Sequence, residues 1–432
     1  MRRALQKFPA RCRPALYFDV LSNVGNGVHL VLFPIALVVL ETVLDGEVWH
    51  EAVLAAFYFG SCLFGLFVTR IGGVIPMQRL VIVPNILIAA ALLGTLFIGG
   101  DPTAFTVLIG ATFILRIFLQ VAEMNMFRLL YPDTHRSAAV GLIRAVSAIS
   151  GLSITITSWW WFALLPNLFA VLFCLMGVML AAAAWFYSRI PVARRTMFDR
   201  AERESVWSAF REGCGVFFSD RRFVVYQFGF ALAGIANHIG LFLVPRVMER
   251  DAGASPSTIR FCAAVMPVLL LIMTAPMWGR FLDRKSPMVA RGIFNILQVI
   301  AFLLYAYGGV TGQLWGLVAG GAVHAISNGG GAINWLTGSM YFAKPEHVSL
   351  YNGIHVFLTG VRGFIGPPVA LLLFVEFERI GSLEIHGAGI GAKVFLVSAM
   401  LSALGAIVLF TQAAYERRTH PESVREVAEP SA

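Results

Sequence analysis

The chain has 432 residues, 58% of them hydrophobic and 13% charged, and its mean hydropathy is +0.76. A water-soluble domain of this length would not tolerate so much apolar surface, so soluble enzymes are excluded, and near-continuous apolar runs of about 20 residues point to membrane-spanning helices. The formal charge of +9 and the pI near 9.6 then read as basic residues gathered on one side of a membrane, with no nucleic-acid partner expected.

Apolar runs fall near 16–43, 51–70, 78–99, 103–130, 137–160, 163–188, 223–247, 257–279, 289–309, 313–341, 348–375 and 391–414. They predict an all-α membrane protein of about twelve spans. With the N-terminus inside, the inner segments carry 25 of the 33 Lys and Arg residues, whereas outer loops and outer helix ends carry only Arg246, Arg250, Arg260, Arg379 and Lys393. This bias places both termini in the cytoplasm. The opening MRRALQKFPARCRPALYF imitates the basic region of a signal peptide. The run after it is too long, however, and is broken by Asp19, Asn23, Asn26 and His29, so it reads as an uncleaved first span.

After the second run comes GLFVTRIGGVIPMQR, in which Gly65 is followed by Thr69 and Arg70. The fourth run holds Arg116, with Gln120 and Glu123 at i+4 and i+7 on the same helical face. Glu123 lies seven residues before the inner end of that span, and Arg144 lies seven residues into the antiparallel fifth. At about 1.5 Å per residue the two sit at matching depth, which predicts an interhelical pair. Trp159, Trp160 and Trp161 close the fifth run, where indoles favour the membrane interface.

The long inner segment 189–222 divides the chain into a bundle over 1–188 and another over 223–414, with 415–432 as a cytoplasmic tail. Within the segment, Trp207, Phe210, Cys214 and Phe217 recur at helical spacing opposite Arg203 and Arg211. That pattern suits a helix lying among lipid headgroups, and a solvated linker explains it equally well.

The second bundle echoes the first. Asn26, His29 and Pro34 in the first span match Asn237, His238 and Pro245 in the seventh, and GRFLDRKSPMVAR, from Gly279 to Arg291, is a fuller copy of the loop at Gly65. Matches in the same order indicate an internal six-span repeat. Span ten carries His324, Asn328, Asn334 and the run Gly329 to Gly331, which allows bending or close packing. Span eleven carries His355, Arg362 and a kink at Gly366-Pro367-Pro368.

These features resemble the major facilitator superfamily of secondary transporters. The resemblance covers essentially the whole chain and is carried by Gly279, Asp283, Arg284 and Arg291, with Thr69 replacing the acid in the first copy. It implies two pseudo-symmetric six-helix bundles, transport by alternating access at the midplane between halves, and a cytoplasmic gate of Gly65, Arg70, Gly279, Asp283, Arg284 and Arg291. It further implies that Arg116 with Gln120 corresponds to a helix-four motif tied to proton transfer, and that spans one, four, seven and ten line a central cavity. The family's antiport Gly-Pro motif is absent from span five, GLIRAVSAISGLSI.

A charge at the bilayer centre costs at least about 2.5–3.5 kcal/mol on insertion scales, so embedded charges mark a site. Arg116, Arg144 and Arg362 outnumber Asp19 and Glu123, which favours a small anionic or amphiphilic solute. The binding or coupling candidates are Arg116, Gln120, Glu123, Arg144, Asn26, His29, Asn237, His238, His324, Asn328 and Arg362. No metal or cofactor is expected: the five cysteines are scattered, no two histidines stand at i,i+4, and phosphate-binding glycine loops are absent. The reading is thus a monomeric secondary transporter of the plasma (bacterial inner) membrane, with the bilayer, a small solute and protons as partners. Two alternatives stay open. One is a membrane-embedded enzyme acting on a lipid or acyl chain through His324 and Asn328, and the other is a non-transporting sensor with this fold.

Overall fold

Residues 8–46, 48–65, 67–68, 75–191, 206–282, 284–344, 347–380 and 383–419 of the computed structural model are described here. The first predicted span is two helices, α1 (Arg13–Asn26) and α2 (Val28–Thr42), meeting at Gly27. There follow α3 (Val48–Gly60), α4 (Met77–Gly94), α5 (Pro102–Leu130), α6 (Asp133–Leu164), α7 (Phe169–Ser188) and α8 (Val206–Ser219). Then come α9 (Arg221–Arg250), the short α10 (Pro256–Arg260), α11 (Met266–Leu282), α12 (Pro287–Thr311), α13 (Leu314–Thr337), α14 (Val348–Phe374) and α15 (Val394–Thr419). A π-helical turn, Phe261–Val265, joins α10 to α11.

Among the described residues, ten helical stretches are long and apolar enough to cross a membrane. The predicted second and tenth positions are taken by α3 and α13. The apolar part of the second, Val53–Phe64, is shorter, and Gly and Asn residues dilute the hydropathy of α13. The fold is therefore nearly all-helical. One short hairpin lies among the helices: β1 (Phe377–Ile380) and β2 (Leu383–His386) pair antiparallel, with Phe377 opposite His386 and Ile380 opposite Leu383. The hairpin lies outside any helical run, and its second strand, LEIH, alternates apolar and polar residues.

Helix starts follow local chemistry. Asp101 accepts from Thr103 N (2.8 Å) ahead of Pro102 in α5, Asp220 accepts from Phe223 N (3.0 Å) at α9, and Ser286 accepts from Val289 N (3.4 Å) ahead of Pro287 in α12. At the far end of α12, Gly312 adopts φ 70°, a left-handed cap that suits glycine.

The chain groups into two compact units, Met1–Gly215 with Ala343–Phe357, and Val216–Phe342 with Leu358–Ala432. The first unit packs around Leu32, Leu54, Phe105, Ile109 and Phe173. The second packs around Ile239, Leu243, Phe302, Leu317 and Phe395. Helices that share a lipid solvent gain little from apolar contact alone, and small residues that let backbones approach supply packing instead. At Gly25, a Cβ would fall inside the van der Waals envelope of the Met179 carbonyl and 2.8 Å from Ala183 Cβ, so α1 rides directly on α7. The glycine run of α13 has the same use. A Cβ on Gly329 would stand 2.6 Å from Thr274 Oγ1, one on Gly330 would overlap the Phe294 ring, and one on Gly331 would stand 3.2 Å from Arg291 Nη1.

Gly25→Ala is expected to cost about 1–3 kcal/mol, the usual range for overpacking, with the upper end favoured because the obstructing atom is backbone. Gly279→Ala, where a Cβ meets nothing within 4 Å among the described residues, is expected to be neutral. Thermal unfolding of the two variants in detergent separates them, and equal loss in both would contradict the packing account.

Candidate functional site

The site in the first unit is built on the break at Gly27. The Gly27 N–H turns back to Gly25 O instead of continuing the helical ladder. Around the break, the carbonyls of Asn23 and Val24 accept from Ser147 Oγ (3.2 Å) and Ser150 Oγ (2.5 Å) of α6, which satisfies these two backbone acceptors within the bilayer. A Cβ at Gly27 would lie 2.7 Å from Ser150 Cβ, which explains why this point of contact with α6 carries glycine. The break leaves Asn26 at the end of α1 and His29 at the start of α2.

From there a polar chain crosses four spans. His29 Nε2 is 2.9 Å from Asn85 Oδ1 on α4, Asn85 Nδ2 donates to Asn26 Oδ1 (3.4 Å), and Asn26 Nδ2 donates to Glu123 Oε1 (3.3 Å) on α5. The other carboxylate oxygen of Glu123 lies 3.7 Å from Arg144 Nη2 on α6. The Glu123 side chain is 4% exposed and that of Arg144 23%. Asn26, His29, Arg116, Gln120, Glu123 and Arg144 all line one small cavity of about 20 Å³, room for about one water. Six of the eleven residues expected from sequence are therefore brought together here. Arg116 is half-buried, with its guanidinium carbon 5.7 Å from the Tyr58 ring centroid. Tyr58 in turn stacks on Phe33 at 4.3 Å.

A second buried acid lies nearby. Asp19 accepts from Tyr131 OH (2.7 Å) and Asn23 Nδ2 (3.0 Å), while Ser147 Oγ donates to Asn23 Oδ1 (2.8 Å). Burial, and then the neighbouring Asp19 charge, push the Tyr131 phenol far above its ordinary range. It therefore stays a neutral donor to Asp19. Sequence reasoning missed Asn85, Tyr58 and Tyr131. The available signal for Asn85 was an Asn beside Pro84 inside an otherwise apolar run.

The other five candidates lie in the second unit, apart from that cavity. His324 Nε2 on α13 is 2.5 Å from Asn237 Oδ1 on α9, and His324 Nδ1 has no partner among the described residues. The local pair His324–Asn328 needed by the lipid-enzyme reading is thus not hydrogen-bonded. His238 packs over Gly366 of α14, where a Cβ would collide with the His238 Cβ. The Arg362 side chain lies across Gly234, and its Nη2 donates to Thr359 Oγ1 (2.5 Å).

The expected gate residues are placed as follows. Arg70 and Asp283 lie outside the described residues. A Cβ on Gly65 would stand 2.6 Å from Val356 Cγ1, a close helix approach, and Gly279 is buried with room to spare. Arg284 is exposed, whereas Arg291 is buried with its guanidinium carbon 3.8 Å from the Phe230 ring centroid.

Residues 32–367 match the sequence profile of the Major Facilitator Superfamily. No curated protein matches the chain at the sequence level. Among solved structures, the fold is similar to the Escherichia coli fucose:proton symporter FucP, with a TM-score of 0.65 and 12% identity over 93% of this chain and 98% of that one. A FucP structure in the outward conformation gives 0.66 and 11% over the same shares.

Removing one partner of a buried ion pair costs more than removing both, because it strands a charge. Arg144→Ala is expected to destabilise the protein by up to about 3 kcal/mol, the low end for buried pairs, since Arg144 is partly exposed. Glu123→Gln combined with Arg144→Gln is expected to recover most of that loss in thermal unfolding. A double variant no more stable than Arg144→Ala would show that the pair is not the relevant contact.

Proposed function

The chain belongs to the major facilitator superfamily of membrane transporters, and from that premise we propose that it moves a small organic anion across the bilayer by alternating access, coupled to protons through Glu123. The observation that carries the reading is the cavity in the first unit, where two guanidiniums, Arg116 and Arg144, face one carboxylate, Glu123. An acidic group on the solute neutralises the surplus positive charge. At 3.7 Å the Glu123–Arg144 contact is looser than a bidentate pair, and Arg144 Nε has no partner among the described residues, so Arg144 can turn to the solute with little to break. Glu123 then loses its counter-charge and takes up a proton, because an uncompensated buried carboxylate favours its neutral form. Anion and proton enter together, so the net charge of the site is the same loaded as empty.

The fucose:proton symporter named among the structural neighbours supports the coupling part of this reading. The surplus of positive charge at this cavity favours an acidic solute over a neutral one, and the second acid, Asp19, is already held by Tyr131 and Asn23. The distribution of Lys and Arg supports an even number of spans, twelve, with both termini cytoplasmic. The working unit is a monomer.

A thermal-stability screen of the purified protein against small solutes tests the reading. Organic acids are expected to raise the unfolding midpoint, by about 2.7 kcal/mol of stability at 100 times their dissociation constant, and Arg116→Ala is expected to abolish the effect. Stabilisation by neutral sugars or cations alone would contradict it.

A further inference from the structure

A second cavity, of about 630 Å³, opens at one end of the second unit, where α9 and α14 finish and α15 begins. That volume falls within the range of about 300–1,000 Å³ typical of small-ligand sites, against about 20 Å³ at Glu123. In the orientation supported by the Lys and Arg distribution, this end faces outward, where basic residues are scarce. Two of the five that the outer side carries, Arg246 and Arg250, line the cavity. The proposed cycle uses neither.

One wall is backbone held in place. The segment after β2 turns back onto the end of α14, where the N–H groups of Gly387, Ala388, Gly389 and Ile390 donate to the carbonyls of Glu376 (3.1 Å), Leu372 (2.7 Å), Val375 (2.9 Å) and Leu373 (3.0 Å). Carbonyls that a helix end leaves open are closed in this way. Glycine permits the approach: a Cβ on Gly387 would overlap the Val375 carbonyl oxygen, and Gly389 and Gly391 adopt left-handed φ angles of 63° and 54°. The wall is therefore preformed, which lowers the ordering cost of binding.

The charges on the cavity differ in what they can offer. Arg250 gives Nε and Nη2 to Asp251 (2.7 and 3.2 Å) and lays its guanidinium carbon 4.6 Å from the Phe374 ring centroid. Arg246, one turn earlier on α9 and half-buried, has no ion pair or hydrogen bond from its side chain among the described residues. Glu376, at the end of α14 and exposed, also lines the cavity and makes no ion pair among the described residues, with Arg246 or with any other cation. The rings of Phe377 and His386, 5.2 Å apart, add flat surface to the same space. Unlike charges contributed by different helices set up a field across a concave site. A plain anion answers only Arg246 and meets Glu376 as a like charge, whereas a plain cation does the reverse. A molecule that carries both an acidic group and an ammonium answers both, since a guanidinium fork matches a carboxylate or phosphate and an ammonium donates to a carboxylate.

We propose that this cleft binds a small zwitterion, its acidic group on Arg246 and its primary ammonium on Glu376. The zwitterion comes either as a free amino acid or as the ethanolamine headgroup of a phospholipid. All the residues involved lie in the second unit, so the proposal does not depend on the role given to Glu123.

The test titrates the full chain, in a maltoside detergent at fixed pH and ionic strength, with β-alanine, with its single-charge analogues propionate and ethylamine, and with glycerophosphoethanolamine. At least one of the two zwitterions is expected to raise the unfolding midpoint saturably, with half-saturation at least about tenfold tighter than for propionate or ethylamine. Glu376→Gln is expected to reduce the response to the level of propionate and Arg246→Gln to the level of ethylamine. Arg116→Ala, which disables the cavity of the first unit, is expected to leave the zwitterion response unchanged. A response to β-alanine identifies a free amino acid, and a response to glycerophosphoethanolamine alone identifies a lipid headgroup. A midpoint indifferent to both zwitterions, a single-charge analogue as effective as either, or a zwitterion response that survives intact in Arg246→Gln and Glu376→Gln would overturn the proposal.

Discussion

Glu123 is buried among five helices with one formal counter-charge in contact, Arg144 at 3.7 Å, and keeping that carboxylate compensated constrains much of the first unit. In a medium of effective dielectric near 20, two unit charges at this separation attract by about 4 kcal/mol. Desolvation costs several kcal/mol for each ion, so the pair does not repay its own burial. Asn26 donates to Glu123 and is held in turn by Asn85, which His29 contacts, and the break at Gly27 exists where two of those side chains must leave adjacent turns of one span. An arrangement that costs stability and still exchanges partners easily suits a binding and coupling site better than a structural clasp.

The second unit solves the same problem differently. His324 with Asn237 is a neutral pair, and the cations Arg291 and Arg362 lean on an aromatic ring. Glycines recur wherever a large polar group needs depth: Gly234 under Arg362, Gly366 under His238 and Gly331 beside Arg291. Close packing between helices and accommodation of buried charge are served by the same residues. This is why the glycine run of α13 is a packing stripe as well as an interruption of the apolar pattern.

The span pattern was legible in the sequence because apolar length and the Lys and Arg bias are set by the bilayer itself, and the loop at Gly279 pointed to the family. Glu123 and Arg144 were legible as residues at matching depth on antiparallel helices. Asn85 was not, since a single Asn in an apolar run carries no charge and no spacing signal. Arg291 misled for the opposite reason: four residues from the start of a helix, it looks like part of the basic cytoplasmic rim, and only the three-dimensional contact with Phe230 shows it buried. The hairpin at Phe377 was hidden by its length, with four residues in each strand, too few for alternation to stand out.

The central claim is that Glu123 takes up the proton that accompanies the solute. Uptake of a stabilising organic acid into proteoliposomes, with the membrane potential clamped and an inward proton gradient imposed, measures it directly. The wild type should accumulate solute in proportion to the gradient, while Glu123→Gln should still exchange solute across the membrane but ignore the gradient. Wild-type flux indifferent to the gradient, or a Glu123→Gln response equal to that of the wild type, would contradict the account.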